Sequence, residues 1–187
     1  MERRVLVVCT ANLCRSPVAA ALLTRQLAGA VDVEGRSWSV ASAGTTAHRA
    51  ELDPDTVAAA ASLGIEIGDH RSRVLSPADV EAADLVLTMT REHLRHVVAS
   101  VPTAWPKTFT LRELVRRAGP LAPAASMAAW LAAAGAERRT ADLMQASADD
   151  DVTDPYRRGL AANEAMVHEL SVLTADVVRL GPWRPHA

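Results

Sequence analysis

Residues 9–16 read CTANLCRS and lie between two apolar runs, VLVV at residues 5–8 and PVAAALL at residues 17–23. The first run is continuous and mostly β-branched, a pattern typical of a parallel strand that is buried on both faces. Ser16-Pro17 supplies an N-cap residue and a first-turn proline, which predict a helix through about Leu27. CTANLCRS is therefore expected to form the turn between a buried strand and a helix.

This turn has the composition of an anion-binding site. The carboxyl edge of a parallel sheet is where α/β proteins bind ligands, and the free N–H groups of a helix start attract anions and stabilise a thiolate. Arg15 adds a planar fork that can hold two oxygens of a tetrahedral oxyanion. We predict a phosphate cradle with Cys9 as the nucleophile at its base. The residues assigned to phosphate binding are Thr10, Ala11, Asn12, Leu13, Cys14, Arg15 and Ser16.

The alternative is that Cys9 and Cys14 are small buried hydrophobic residues and that Arg15 is a surface charge. An arginine and a serine at this spacing from a cysteine also arise by chance. The preceding strand and the following helix favour the cradle.

The rest of the chain alternates between strand and helix patterns, which predicts an α/β fold with a parallel sheet and helices on both faces, that is, three layers α/β/α. Further strands are predicted at Trp38–Ala43, Leu85–Met89 and Thr108–Leu111, and helices at Pro54–Leu63, after Ser76-Pro77, at Arg91–Ser100 and at about Leu160–Leu180.

Residues 119–150 fit this alternation poorly. PAASMAAWLAAAG (123–135) and ERRTADLMQ (137–145) have the composition of two short helices, and an acidic tip follows them. We interpret them as a helical insertion in one domain that spans residues 1–187. We expect the insertion to flank the pocket and restrict large substrates, the alternative being a remote, solubilising pair of helices.

Composition and charge exclude several function classes. With 49% hydrophobic and 22% charged residues and a net charge of −2, the chain is typical of a globular protein and lacks the basic surface of a nucleic-acid binder. Its apolar runs are too short to span a membrane. No signal peptide is predicted, because Thr10, Asn12 and Arg15 interrupt the first apolar stretch. Two cysteines cannot form a secreted disulfide framework, so we expect a cytoplasmic protein. No metal and no other cofactor is expected, since no cluster has metal-ligand spacing.

A thiolate that attacks phosphorus needs an acid for the leaving oxygen and a base for the hydrolytic water. Asp154, in VTDPYRRG, is the best candidate, because Pro155 stiffens its loop and biases Asp154 towards an extended backbone. Asp-Pro is also ordinary turn chemistry, and the residues alone slightly favour a simple turn.

CTANLCRSP near the start of the chain and TDPY near its end resemble the low-molecular-weight protein tyrosine phosphatases. SAGT (42–45), HRSR (70–73) and ADLVLTM (83–89) extend the resemblance over most of the chain. It implies a four-stranded parallel sheet, Cys9 as nucleophile, Arg15 as phosphate ligand and Asp154 as general acid and base. It also implies that Ser16 hydrogen-bonds the Cys9 thiolate. Three further residues are assigned as supporting: Ser42 and His70 brace the loop, and Tyr156 offers an aromatic surface.

Three departures from the family pattern bear on the substrate. TAHRA (46–50) stands where relatives carry an aromatic wall, Arg157 stands where a second aromatic residue is common, and the insertion is longer than usual. Leu13 favours phosphotyrosine, and the substrate is expected to be a phosphorylated protein.

Three alternative functions remain. One is a protein arginine phosphatase, a branch that the segment ADLVLTMTREH resembles. The others are an arsenate reductase, which would need further cysteines after Cys14, and a phosphopeptide-binding module without turnover. Cys14 is either a partner for Cys9 in a reversible disulfide or a small packing residue.

Overall fold

The computed structural model describes residues 2–46, 51–144 and 148–185, with the side chains of residues 144 and 148 left out. The strands are β1 (Arg3–Cys9), β2 (Ala30–Val31), β3 (Trp38–Gly44), β4 (Leu85–Thr88), β5 (Thr108–Thr110) and β6 (Arg184–Pro185). The α-helices are α1 (Arg15–Gln26), α2 (Pro54–Ser62), α3 (Pro77–Ala82), α4 (Arg91–Ser100), α5 (Leu111–Ala118), α6 (Met127–Gly135) and α7 (Leu160–Leu180).

The main sheet has four parallel strands in the order β3-β1-β4-β5, which confirms the predicted fold class. Alternate residues of β1 enter two different cores. Val5 and Val7 pack with residues of α1, α2, α5, α6 and α7, whereas Leu6 and Val8 pack with residues of α3 and α4. The sheet is thus the middle of three layers, and the unbroken VLVV run is explained by burial on both faces.

The strand order places the phosphate loop where a ligand can reach it. In the main sheet the chain continues from β1 to β3 on one side and from β4 to β5 on the other side. The chain therefore leaves β1 and β4 in opposite directions. Such a switch point opens a crevice at the carboxyl edge of the sheet, and residues 10–14 begin there.

Two predicted boundaries near the loop and the fourth strand are wrong. Helix α1 begins at Arg15 with Cys14 as its N-cap, and Ser16 does not cap it, because the Ser16 hydroxyl contacts Cys9 and Asn12 instead. Leu111 is not the end of a strand. It begins α5, which the sequence analysis missed, and the Thr110 hydroxyl caps this helix by accepting the backbone N–H of Glu113.

The insertion contains one α-helix, α6, and a 3-10 turn at Thr140–Met144 in place of the second predicted helix. The carbonyl groups of Asp142 and Leu143 accept hydrogen bonds from the side chains of Arg91 and Arg95, which attach this turn to α4. Gln145, the last residue of that predicted helix, lies outside the described residues.

A second, two-stranded sheet pairs β2 with β6 and was not predicted. Trp183, just before β6, makes edge contacts with Trp38 of β3 and Trp130 of α6, with ring centroids 4.5 Å and 6.4 Å apart. The end of the described chain is thereby fixed against the insertion. No helix in the described part is long and apolar enough to cross a bilayer.

Candidate active site

Cys9 ends β1 and is buried, with two hydrogen-bond partners at its sulfur. Sγ lies 2.9 Å from the Ser16 hydroxyl and 3.3 Å from the backbone N–H of Asn12. The Asn12 amide donates to the Ser16 hydroxyl at 2.9 Å, so Ser16 accepts from Asn12 and its own proton is free for Cys9. The sulfur therefore faces two donors, an arrangement that stabilises a thiolate.

Asn12 is the scaffold of the loop. Its backbone φ of 57° is left-handed, a conformation that asparagine tolerates better than most residues. Its amide also donates to Ser42 at 2.9 Å, and its side-chain oxygen accepts the backbone N–H of Arg73 at 3.1 Å. All its side-chain groups are used, so the Ser16 contact is fixed from several sides.

Two further side chains hold the loop carbonyls away from the cradle. His70 Nε2 lies 2.9 Å from the carbonyl of Asn12, and the Ser72 hydroxyl donates to the carbonyl of Ala11 at 2.8 Å. The structure thus places Ser42 and His70 against the loop, as the family resemblance implies. Gly44 completes this wall, because a Cβ there would lie 2.6 Å from the Thr10 carbonyl oxygen.

Arg15 is buried under the acid loop, residues 150–156. Its Nη1 donates to the carbonyl of Val152 at 3.2 Å, and its Nη2 lies 2.6 Å from Asp154 Oδ2 and 3.3 Å from the Thr10 hydroxyl. The alternative of a surface charge is therefore wrong, because the Arg15 side chain is only 5% exposed.

Asp154 was interpreted from the sequence either as a turn residue or as the acid, and its contacts are compatible with both. Its Oδ1 accepts the backbone N–H of Tyr156 at 3.2 Å, which is a local Asp turn, while Oδ2 reaches Arg15. The Asp154 side chain is 49% exposed, so it borders solvent as well as the cradle. A turn and an acid placed opposite the nucleophile are thus compatible.

A cavity of about 140 Å³ opens above Cys9. Its lining residues are Cys9, Thr10, Ala11, Leu13, Cys14, Arg15, Asp154 and Tyr156. No described residue of 119–150 lines it, so the expectation that the insertion flanks the pocket is not met there. Arg157 places its guanidinium 5.2 Å from the centre of the Tyr156 ring. Residues 47–50 of the TAHRA segment lie outside the described residues.

The acid loop is attached to the end of β4. Asp151 accepts the backbone N–H of Arg91 at 2.7 Å, and the backbone N–H of Val152 donates to the Met89 carbonyl at 2.8 Å. Asp150 is buried, with Arg116 at 2.7 Å and Arg91 at 3.6 Å. The insertion therefore reaches the site through the loop that carries Asp154.

Cys14 is a buried free thiol on the other side of the loop. Burial raises its pKa to about 11, and a side-chain hydrogen bond with Thr56 opposes this only in part. Cys14 is therefore a thiol at neutral pH, which makes it a slow partner for disulfide exchange.

Several contacts of the site escaped the sequence analysis. Ser72 and Arg73 lie in the HRSR motif, which was recognised but not assigned to roles. His93, whose Nε2 is 2.9 Å from the Thr10 hydroxyl, ends the motif ADLVLTMTREH, and Asp150 lies in the acidic tip. Neither was assigned a role, because their partners are far away along the chain. Within residues 2–46, 51–144 and 148–185, no group of three or more His, Cys, Asp or Glu side chains could hold a metal ion.

Comparison with known proteins finds similar sequences and similar structures. The family model of the low molecular weight phosphotyrosine protein phosphatases matches residues 4–121. A probable low molecular weight protein-tyrosine-phosphatase of Ralstonia solanacearum is 38% identical over 115 residues, which are 61% of this chain and 74% of the relative. A protein-arginine-phosphatase of Geobacillus stearothermophilus is 36% identical over 115 residues, 62% of this chain and 73% of the relative. The crystal structure of a low molecular weight protein tyrosine phosphatase from T. tengcongensis has a TM-score of 0.69 at 29% identity and covers 95% of this chain and 99% of its own.

Proposed function

Because the chain belongs to the low molecular weight phosphotyrosine protein phosphatase family, we propose that it hydrolyses phosphotyrosine in proteins through a cysteinyl-phosphate intermediate. The observation that carries this proposal is the convergence of Cys9, Arg15 and Asp154 on one cavity. A binding module without turnover needs no acid opposite its cysteine.

In the first step the Cys9 thiolate attacks phosphorus, the S–P bond forms and the bond from phosphorus to the phenolic oxygen breaks. Asp154 gives its proton to that oxygen. Arg15 and the loop N–H groups hold the equatorial oxygens as charge develops on them. The Ser16 hydroxyl and the Asn12 N–H, which face Sγ, stabilise the thiolate before attack and as the leaving group of the second step.

In the second step the Asp154 carboxylate takes a proton from a water molecule, whose oxygen attacks phosphorus. The S–P bond breaks, and inorganic phosphate and the Cys9 thiolate are released. Arg15 and the loop supply the positive charge that this reaction needs, so the proposed mechanism uses no metal and no organic cofactor.

Leu13 and Tyr156 support the choice of phosphotyrosine. Both line the cavity and present apolar surface to the group that carries the phosphate. A phenol ring can pack against such walls, whereas the N–H groups of a guanidinium would be left without partners there. Arg157 places its guanidinium 5.2 Å from the centre of the Tyr156 ring but is not among the residues that line the cavity.

Protein arginine phosphatase activity is the second candidate. It is favoured by the similarity to the Geobacillus protein-arginine-phosphatase, which matches as many residues of the chain, 115, as the tyrosine-directed relative does. Arsenate reductases are also among the relatives. That reaction is disfavoured here because the sequence has no cysteine after Cys14 to resolve the intermediate.

We place the activity in the cytoplasm, with phosphorylated proteins as substrates. Cys9 must remain a free thiol to act, which requires a reducing compartment.

One assay tests the function. Peptides that carry phosphotyrosine, phosphoarginine or phosphoserine are compared by kcat/KM, with phosphotyrosine expected to be the best. Cys9→Ser should abolish turnover and still bind inorganic phosphate, because the loop and Arg15 remain. Activity in Cys9→Ser above a trace would exclude the covalent mechanism, and a preference for phosphoarginine would select the second candidate.

A further inference from the structure

The Thr10 hydroxyl lines the cavity above Cys9, and two neighbours occupy its oxygen. Arg15 Nη2 donates to Oγ1 at 3.3 Å, and Nε2 of the buried His93 lies 2.9 Å from the same atom. A hydroxyl has one proton and two lone pairs, so the direction of the His93 contact decides where the Thr10 proton goes.

Thr90 determines which nitrogen of His93 carries the proton. The Thr90 hydroxyl caps α4 by accepting the backbone N–H of His93 at 3.3 Å, and it also lies 2.9 Å from Nδ1 of the imidazole. In the described part of the chain its proton has no acceptor other than Nδ1. Thr10, by contrast, borders the cavity, where water or phosphate can accept its proton. This arrangement favours Nδ1 as the acceptor of the Thr90 proton and places the single proton of a neutral imidazole on Nε2, facing Thr10.

The imidazole is held in its neutral form. His93 is only 4% exposed, and burial together with the nearby Arg15 guanidinium lowers its pKa to about 3. A charged ring would also carry a proton on Nδ1 and could not accept from Thr90.

We propose that His93 is a positioning residue, whose Nε2–H donates to Thr10 Oγ1 and directs the Thr10 hydroxyl proton at an oxygen of the bound phosphate. With both lone pairs of Oγ1 taken by Arg15 and His93, the remaining proton points into the cavity that Thr10 lines. The role of this donor rests on the proposed phosphatase function. It repeats, on the other side of the loop, the way in which Asn12 frees the Ser16 proton for Cys9.

The tautomer is measured directly by NMR of protein labelled with 15N-histidine. His93 is assigned by the loss of its signals in His93→Gln, and the exposed His96, assigned in the same way by His96→Gln, serves as the reference. We expect His93 to show a protonated Nε2 and a bare Nδ1, unchanged between pH 5 and pH 8. A proton on Nδ1, or titration in this range, would overturn the proposal.

The function of the contact is measured by the affinity for inorganic phosphate, determined by calorimetry in wild type, Thr10→Val, His93→Gln, His93→Met and Thr10→Val/His93→Met. Thr10→Val should weaken binding about tenfold or more, the loss expected for one hydrogen bond to a charged group. His93→Met should weaken it several-fold. His93→Gln, whose amide N–H can replace Nε2–H, should stay within about twofold of wild type.

The double variant distinguishes positioning from a merely structural role. If His93 acts through Thr10, then His93→Met should cause no further loss in the Thr10→Val background. Losses that multiply, or a His93→Met protein with lower thermal stability and unchanged phosphate affinity, would overturn the proposal. Failure of the wild type to hydrolyse para-nitrophenyl phosphate would instead refute the proposed function, because the tautomer and the phosphate affinities do not depend on turnover.

Discussion

Nη2 of Arg15 lies 2.6 Å from Oδ2 of Asp154, so the proposed phosphate ligand and the proposed acid are paired with each other. A phosphate that takes this edge of the Arg15 fork must displace the carboxylate. Asp154 is half-exposed and held locally only by its turn to Tyr156, so it can move without disturbing β1 or α1. In the proposed mechanism, substrate binding therefore releases Asp154 towards the leaving group.

The first prediction concerns this competition. Asp154→Asn should bind inorganic phosphate about fivefold more tightly than wild type, because it removes a partly exposed charge that pairs with Arg15 at a strength of roughly 1 kcal/mol. Calorimetry measures the affinity, with Asp149→Asn, an exposed acid nearby, as the control. Weaker binding in Asp154→Asn would mean that the Asp154 side chain helps to hold phosphate.

The second prediction concerns the acid role of Asp154. Asp154→Asn should slow the hydrolysis of phenyl phosphate more than that of para-nitrophenyl phosphate, because a good leaving group departs without a proton. We expect about 10²-fold or more for the phenyl ester, the lower end of what general acid catalysis contributes. Burst kinetics separate the two chemical steps. Equal losses on both substrates would transfer the acid role to another residue.

The third prediction concerns the loop that carries Asp154. Asp150 is buried against Arg91. Among the residues that the structure describes, removal of the Asp150 charge leaves that guanidinium with one carboxylate within 4 Å, that of Glu113 at 3.9 Å. Asp150→Asn should lower kcat for phenyl phosphate about tenfold through a misplaced acid. The affinity for inorganic phosphate should change less, because the cradle itself is intact.

Asp149→Asn is the matched control for this prediction, since Asp149 is the preceding residue and is exposed. A loss in Asp150→Asn that is the same for good and poor leaving groups would indicate general destabilisation. A loss confined to the poor leaving group would mean that the insertion affects catalysis through the acid loop. The insertion had been expected to act instead as a wall around the pocket.

The sequence predicted the site residues that are close together in the chain better than those whose partners are far away in the chain. Cys9, Arg15 and Ser16 belong to one strand–turn–helix unit, so their geometry is encoded within eight residues, and the context was sufficient. The acid role of Asp154 was supported mainly by the family resemblance, because VTDPYRRG alone does not indicate that Arg15 lies opposite. His93 lies 83 residues from Thr10, and only the pairing of β1 with β4 brings them together.

Local patterns also failed where two assignments competed. The buried Leu111, Leu114 and Ala118 have helical spacing, yet Leu111 was assigned to the end of the fourth strand. Residues 137–145 have helical composition, but the structure has a 3-10 turn at Thr140–Met144, and arginines of α4 bind two of its carbonyl groups. These contacts join residues about fifty positions apart, which the local composition does not indicate.

The fourth prediction concerns stability at acidic pH. Burial, and then the charge of Arg15 and of the exposed His96, lowers the pKa of His93 to about 3, whereas an unfolded histidine titrates near 6.5. The unfolded state therefore binds this proton first, so stability is complete above about pH 6.5 and is lost as the pH falls towards 3. Between pH 6.5 and pH 4.5 the loss from this one group is about 2–3 kcal/mol.

Urea unfolding at pH 7, 5.5 and 4.5 measures this loss. His93→Gln should lose less stability than wild type on acidification, while His96→Gln should follow wild type. The same pH dependence in His93→Gln and wild type would show that His93 is not held neutral.

The last prediction concerns the choice between phosphotyrosine and phosphoarginine, which we assign to Leu13. Leu13 lines the cavity beside Tyr156 and offers it no hydrogen-bonding group. A threonine at this position would supply a hydroxyl, which can hydrogen-bond a polar guanidinium. An unpaired buried N–H costs roughly 1–3 kcal/mol, so an apolar wall disfavours phosphoarginine by about tenfold.

Leu13→Thr should therefore shift the ratio of kcat/KM for phosphotyrosine and phosphoarginine peptides about tenfold towards phosphoarginine. Hydrolysis of para-nitrophenyl phosphate monitors the shared chemistry, and the exposed Leu63, changed in Leu63→Thr, is the control for the substitution itself. If Leu13 acts only as packing, both peptides lose activity together and the ratio stays constant. A wild type that already prefers phosphoarginine would contradict the assignment, because the apolar wall would then have failed to exclude the polar group, and Cys9, Arg15 and Asp154 would serve a P–N bond instead.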